Sequence, residues 1–186
     1  MELREAILNR RSIRSFKKEE VDVTTIEELL EIARYAPNHK MTQPWRFVLL
    51  DRQDQAPLQH LIKSKKALKK GKPVPEQEPL SDDAPSHMLA VIIDVNEKEK
   101  VYRDDYGAVS SLIQNFSLLA WEKGIGVVWK TPGFMQDEEM KQLLEVSEHE
   151  ELVGLLHIGY PAVVPKMKER EPLQSKLRHG LTRDTQ

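Results

Sequence analysis

Three guanidiniums and a hydroxyl fall within five residues at Arg10-Arg11-Ser12-Ile13-Arg14. A guanidinium is planar and forms paired charge-assisted hydrogen bonds with phosphate oxygens, and a serine hydroxyl adds a further donor. That combination suits anion recognition. It equally suits the solvated basic end of a helix, where cations complement the helix dipole. A second stretch, Ala36-Pro37-Asn38-His39-Lys40-Met41-Thr42-Gln43-Pro44-Trp45, is a polar loop with a proline near each end. Its amides, imidazole, hydroxyl and ammonium can read the edge of a heteroaromatic ring, with Trp45 packed beneath to hold them. A polar turn resting on a buried tryptophan is the plainer alternative. Together the two stretches suit a phosphorylated aromatic cofactor.

Other chemistries lack their residues. The chain has 186 residues and no cysteine, which removes disulfides, thiolate metal sites and a cysteine nucleophile. Its six histidines show no zinc-binding spacing. There is no G-x-S-x-G, P-loop or G-x-G-x-x-G fingerprint. Asp104-Asp105 reads as the acid-rich start of a helix rather than a catalytic pair. Six lysines between Lys63 and Lys72 read as a solvated helix face, because no aromatics are interleaved among them as nucleic-acid binding would require. A net charge of −2 gives no bulk attraction to nucleic acid or an anionic membrane. MELREAILNRR is too charged for a signal peptide, and no apolar run approaches the ~20 residues of a membrane helix. The expectation is a cytoplasmic protein without nucleic-acid or membrane partners.

The elements that must position the two stretches follow from hydrophobic spacing. Glu2 to about Asn9 reads as a helix, and Ile26, Leu29, Leu30 and Ala33 mark a second, opened by a Thr24–Glu27 capping box and closed by Pro37. Arg46 to Leu50 is a short strand, and Gln55 to Lys69 a helix. Residues 70–87 hold four prolines and read as a mobile loop. Met88 to Val95 suits a strand covered on both faces. Asp105 to Lys123 is the longest helical pattern, with an apolar face broad enough for a central core helix or a subunit interface. Ile125 to Trp129 and Leu152 to Ile158 are further strands, and Glu138 to Val146 a short helix. Residues 162–186 form a basic tail. Helices and strands interspersed around one core predict a single mixed α/β or α+β domain over residues 1–186.

The order of these motifs resembles the nitroreductase family of FMN-dependent oxidoreductases. RRSIRSF stands near the start, and AP-x-x-x-x-x-QPW-x-F about thirty residues on. Gln114 to Ala120 matches that family's central helix, Lys123 to Trp129 its Gly-x-Gly strand entry, and His157 to Ala162 its last core strand. The Asn-His-Lys loop is similar to a short-chain branch. Larger members carry a Ser-Ser pair and an Asn before Gln-Pro-Trp, where this chain has Asn38, His39 and Met41. Thr131-Pro132-Gly133 stands where they have an acidic residue before a glycine.

The resemblance implies an α+β nitroreductase-like fold: a central mixed, mainly antiparallel β-sheet flanked by helices and completed in a homodimer. It implies bound FMN, with NADH or NADPH as reductant and a small-molecule acceptor such as a nitroaromatic or quinone, reduced by a ping-pong hydride transfer. Arg10, Arg11 and Ser12 would bind the phosphate and ribityl chain, and Arg14 would lie toward the same pocket. Tyr35, His39 and Gln43 would contact the flavin, with the polar loop serving the partner subunit's site. Trp129, Lys130, Thr131 and Gly133 would flank the ring, and Lys168 and Arg170 would form a second phosphate arm. No side chain need act as nucleophile, and Lys130 or water can supply a proton. The other reading is a flavin-binding or redox-responsive module without turnover.

Overall fold

The apolar run at residues 87–94 becomes an inner strand of a four-stranded sheet, buried on both faces except at its last residue. The structure, a computed structural model, describes residues 1–180; the last six residues of the expected 162–186 tail lie outside that range. The helices are α1 (Leu3–Asn9), α2 (Val23–Ala33), α3 (Arg52–Lys69), α4 (Glu99–Glu122) and α5 (Glu138–Leu143). The strands are β1 (Trp45–Leu50), β2 (His87–Asp94), β3 (Gly126–Lys130) and β4 (Glu150–Gly159). They run in the order β1-β2-β4-β3, and every neighbouring pair is antiparallel. Among the described residues, parallel pairing enters only as a bridge from Ser12 to Val127 on the outer side of β3. This is the expected helix-flanked, mainly antiparallel sheet.

Each face of the sheet is covered by helices. Leu89, Val91 and Ile93 of β2 pack with Ile26, Leu29 and Ala33 of α2 and with Val109, Leu112, Ile113 and Phe116 of α4. The broad apolar face of α4 is therefore a core face of its own chain. Met88, Ala90 and Ile92 point the other way, onto Leu58 of α3 and Met140 of α5. Strand β4 changes phase part-way. The register with β2 steps from Val91–Gly154 to Ile92–Leu152, so Val153 is an extra residue. Such a bulge reverses which alternate residues face each side. Leu156 and Ile158 join the α2/α4 face beyond the bulge and Val153 joins it before, while Leu152 and Leu155 take the other face.

Several boundaries differ from expectation. The cap of α2 is Asp22, whose carboxylate accepts the Thr24 N–H at 2.9 Å, so the Thr24–Glu27 box is not the N-terminus. Asp51 caps α3 by accepting the N–H groups of Gln53 and Asp54, so the helix begins at Arg52, three residues before the expected start. Helix α4 begins at Glu99, so Asp105 is an interior residue rather than part of an acidic helix start. The proline-rich loop ends at Ser86, one residue short, because His87 opens β2. It is tied by Lys63–Glu78 and Lys18–Asp82 ion pairs, each 2.8 Å, and by the Phe16 N–H on the Asp83 carbonyl. Among the described residues no helix is long and apolar enough to cross a membrane.

Candidate functional site

The arginine stretch is laid along the edge of the sheet. At Arg10 the chain leaves α1 with φ −54° and ψ 131° and becomes extended. Ile13 donates its N–H to the Val127 carbonyl at 3.2 Å, and its side chain is fully buried. Gly126 permits this, because a Cβ there would lie 2.6 Å from Ile13. Alternation along an extended chain then turns Ser12 and Arg14 away from Ile13. Three residues on, Phe16 bridges Pro161, and Ala162 donates its N–H to the Ser15 carbonyl at 3.0 Å. The tail that follows β4 is thereby led back past the arginines.

Between the two segments lies a cleft of about 750 Å³. Arg10, Arg11 and Arg14 line it with Lys166, Lys168 and Arg170 from the tail, and no lining residue is acidic. Ser12 adds its hydroxyl, and Ile7, Leu8 and Met167 add apolar surface. Among the described residues none of the six cations has an ion-pair partner. The Arg10 guanidinium is held below its ordinary pKa, first by burial and then by Arg11 and Arg170. Like charges crowded together without a counter-charge raise the energy of the empty cleft and favour an anion in it. Arg11 is partly committed, donating from Nη1 to the carbonyls of Leu8 at 2.8 Å and Arg10 at 2.9 Å, so it also serves the end of α1.

The end of β3 forms a second group of residues. Trp129 lies across the bulge of β4 and donates its indole N–H to the Val153 carbonyl at 3.3 Å. Lys130 is held below its ordinary pKa by burial, then by Lys66 of α3 and by Arg14. This places its charge within electrostatic reach of the arginine stretch. His157, cross-strand from Val128, is pushed down to about 3 by burial, then by Lys130 and Lys66. It is neutral at physiological pH, and its Nε2 has no hydrogen-bond partner. Thr131 and Gly133 are exposed just beyond.

The polar loop stands apart from the cleft of its own chain. Tyr35 is 81% exposed, with the Arg34 guanidinium 5.5 Å from its ring centroid. His39 and Gln43 are exposed too, and none of the three lines the cleft. Lys40, Met41 and Gln43 have positive φ, a left-handed backbone costing roughly 1–2 kcal/mol per residue with an L side chain. Trp45 packs beneath against the α2/α4 core, as its position before a strand suggests.

The sequence profile of the Nitroreductase family matches residues 7–160, a span holding the arginine stretch, the polar loop and the whole sheet. The chain belongs to the nitroreductase family. That family is one of oxidoreductase enzymes. The nitroreductase-family chain is 40% identical over 181 residues to YfhC of Bacillus subtilis (strain 168), which bears an NAD(P)H nitroreductase name. That match covers 94% of this chain and 92% of YfhC. A nitroreductase-like family protein from Bacillus cereus has the same fold, with a TM-score of 0.83, 29% identity and 96% of each chain covered. A nitroreductase with bound FMN from Bacteroides fragilis NCTC 9343 shares the fold at a TM-score of 0.75 and 21% identity, over 97% of this chain and 100% of that one.

Of the residues singled out in sequence, Arg10, Arg11, Ser12, Arg14, Lys168 and Arg170 meet in one cleft. Lys130 lies within electrostatic reach of it. Two contributors have no local signature. Lys166 lines the cleft but looks like any tail lysine, and it is directed there by the pairing of residues 160–162 with residues 15–17. Asp105 bonds to the polar loop from the second turn of α4, and misplacing the start of that helix conceals it.

Proposed function

We propose that this nitroreductase-family chain binds FMN in the arginine cleft and uses NADH or NADPH to reduce nitroaromatic, quinone or related acceptors in a ping-pong cycle. The observation that carries the reading is the cleft itself: six cations, a serine hydroxyl and no acid. A phosphomonoester supplies the missing negative charge, and the apolar rim of Ile7, Leu8 and Met167 suits the less polar remainder of the cofactor. The name of YfhC supports the nicotinamide donor, and the FMN-bound Bacteroides structure of the same fold supports the cofactor.

Bound FMN would supply the two-electron chemistry between reduced nicotinamide and the acceptor. The chain's own residues bind, orient and tune. Arg10, Ser12, Lys168 and Arg170 hold the phosphate, while Arg11 divides its donors between the phosphate and the end of α1. Arg14 and Lys130 bring positive charge beside the ring, a field that favours added electrons. The lowered pKa of Lys130 eases release of its proton to a reduced acceptor. Trp129, Thr131 and Gly133 flank the ring.

Tyr35, His39 and Gln43 complete the site of a second copy in a cytoplasmic homodimer. Unburied apolar surface supports the dimer. Leu3, Ile7 and Leu8 of α1 and Val163, Val164 and Met167 of the tail are each more than half exposed. A soluble monomer rarely leaves such side chains clustered in water. The proline-rich loop, residues 70–86, frames acceptor entry.

Anaerobic addition of NADH or NADPH to the flavin-loaded protein tests the reading. Bleaching of the yellow absorbance, and its return with a nitroaromatic or quinone, is expected. Bound flavin that stays oxidised with both nucleotides would make the chain a binding module without turnover.

A further inference from the structure

Within four positions, the loop between α2 and β1 holds Lys40 at φ 58°, Met41 at 53° and Gln43 at 46°. Non-glycine residues seldom take such angles, and a cluster of them persists only where surrounding contacts over-determine it. Asn38 supplies the first contacts. Its Oδ1 accepts the Gln43 N–H at 2.7 Å, and its Nδ2 donates to Thr42 Oγ1 at 2.9 Å. The Thr42 hydroxyl in turn donates to Asp105 Oδ1. Asp105 is 4% exposed on α4 and has no ion-pair partner among the described residues.

A carboxylate buried without a cation is costly, and an apolar side chain would suit that place in the core better. The bond to Thr42 is what the carboxylate gives in return. It fastens a strained, outward-facing loop to the most buried helix of the molecule. The neighbouring Asp104 differs: it is paired with Lys100 at 3.2 Å on the helix surface.

We propose that Asp105, acting through Thr42 and Asn38, is a positioning residue that holds residues 38–43 in the shape in which His39 and Gln43 meet the flavin ring. The proposal rests on the FMN reading above, and it assigns no chemistry to Asp105 itself. An amide oxygen at position 105 still accepts the Thr42 hydroxyl, through a weaker bond because the charge that assists it is gone.

The experiment compares Thr42→Val, Thr42→Ser and Asp105→Asn in the full chain. It reads backbone amide exchange at residues 39–43 and FMN affinity by flavin-fluorescence titration. Thr42→Val should speed exchange in the loop, leave β2 and β4 protected, and weaken FMN binding about tenfold, the scale of one hydrogen bond to a charged group. Thr42→Ser keeps the charge-assisted bond and should remain within about twofold of the parent, while Asp105→Asn keeps only the weaker neutral bond and should fall between the parent and Thr42→Val. Parental exchange in Thr42→Val would overturn the proposal, as would faster loop exchange with unchanged FMN affinity. If Thr42→Val loosens the whole sheet, Asn38→Ala breaks the same relay at its outer end and decides by the same readouts. A parent that binds no FMN would sink the cofactor reading instead, while exchange would still report whether the relay shapes the loop.

Discussion

The indole of Trp129 occupies the space a side chain on Gly154 would need: a Cβ there would lie 2.1 Å from the indole nitrogen and 3.0 Å from the Lys130 carbonyl. The two residues sit on neighbouring strands at the β4 bulge, where the indole N–H also meets the Val153 carbonyl. Glycine at 154 thus lets Trp129 lie flat across the sheet at the end of the strand that leads to Lys130 and Thr131.

Gly154→Ala should lower stability by about 1–3 kcal/mol, the usual cost of overpacking a filled site. Urea denaturation followed by tryptophan fluorescence measures it. In a Trp129→Ala background the same substitution should cost markedly less, because the obstructing ring is gone. Equal costs in both backgrounds would show that the two side chains do not compete for this space.

Gly126→Ala addresses the arginine stretch from beneath. A Cβ 2.6 Å from Ile13 must push residues 12–14 off the edge of β3. Both the melting temperature and FMN affinity should fall. A stability loss without any change in FMN affinity would separate the Ile13 anchor from the cleft.

Removing charge from the cleft should act oppositely on the empty and the loaded protein. Arg170 is one of the cations that hold Arg10 below its ordinary pKa. Arg170→Gln should therefore raise the melting temperature of the ligand-free chain while weakening FMN binding about tenfold or more. Added salt should mimic the first effect by screening the same repulsion. A variant that melts lower without FMN and binds it as the parent does would contradict the cleft's electrostatics.

His157 predicts an acid limb in the stability curve. Its ordinary pKa is 6.5, and burial with Lys130 and Lys66 nearby pushes it down to about 3 in the folded chain. Above 6.5 the side chain is neutral in both states. Below that, the unfolded chain takes up a proton that the folded chain refuses. Stability is therefore full above the unfolded pKa and falls as pH drops toward 3, by up to about 1.4 kcal/mol per pH unit. His157→Gln should flatten the decline between pH 6.5 and 5, leaving the part due to His87, whose pKa burial also lowers. An identical slope in that variant would place the acid sensitivity elsewhere.

Fold and site were legible in sequence to the extent that local pattern reflects burial. Strand β2 is legible because all but its last residue is buried, so it is apolar throughout. The first two turns of α4 are not, because Glu99, Lys100 and Arg103 stand in water and carry no apolar period. They are helical through contacts such as the Lys100–Asp104 pair four residues apart. Helix α3 is legible from Gln55 onward, but not its first turn, which lies ahead of Pro57 and is capped by Asp51. The β4 bulge is invisible because it arises from pairing with β2, not from any residue of β4 alone.

The same division holds in the site. Arg10 to Arg14 stand out because they are adjacent in the chain. Lys166, and the link from Asp105 to Thr42, depend on segments brought together only by folding. The polar loop announces its donors and acceptors by composition, but its left-handed backbone at Lys40, Met41 and Gln43 contradicts the preference of every residue in it. Local rules fail there because the conformation is held by hydrogen bonds, from Asn38 within the loop and from Asp105 far along the chain.

Equilibrium titration of the folded, flavin-free protein with FMN is the most direct measurement of the central claim, that six unopposed cations gather a flavin phosphate. Saturable binding at one FMN per chain is expected, weakened by salt and by Arg10→Ala and unmatched by riboflavin, which lacks the phosphate. A folded protein that ignores FMN at millimolar concentration, or that binds riboflavin equally well, would contradict it.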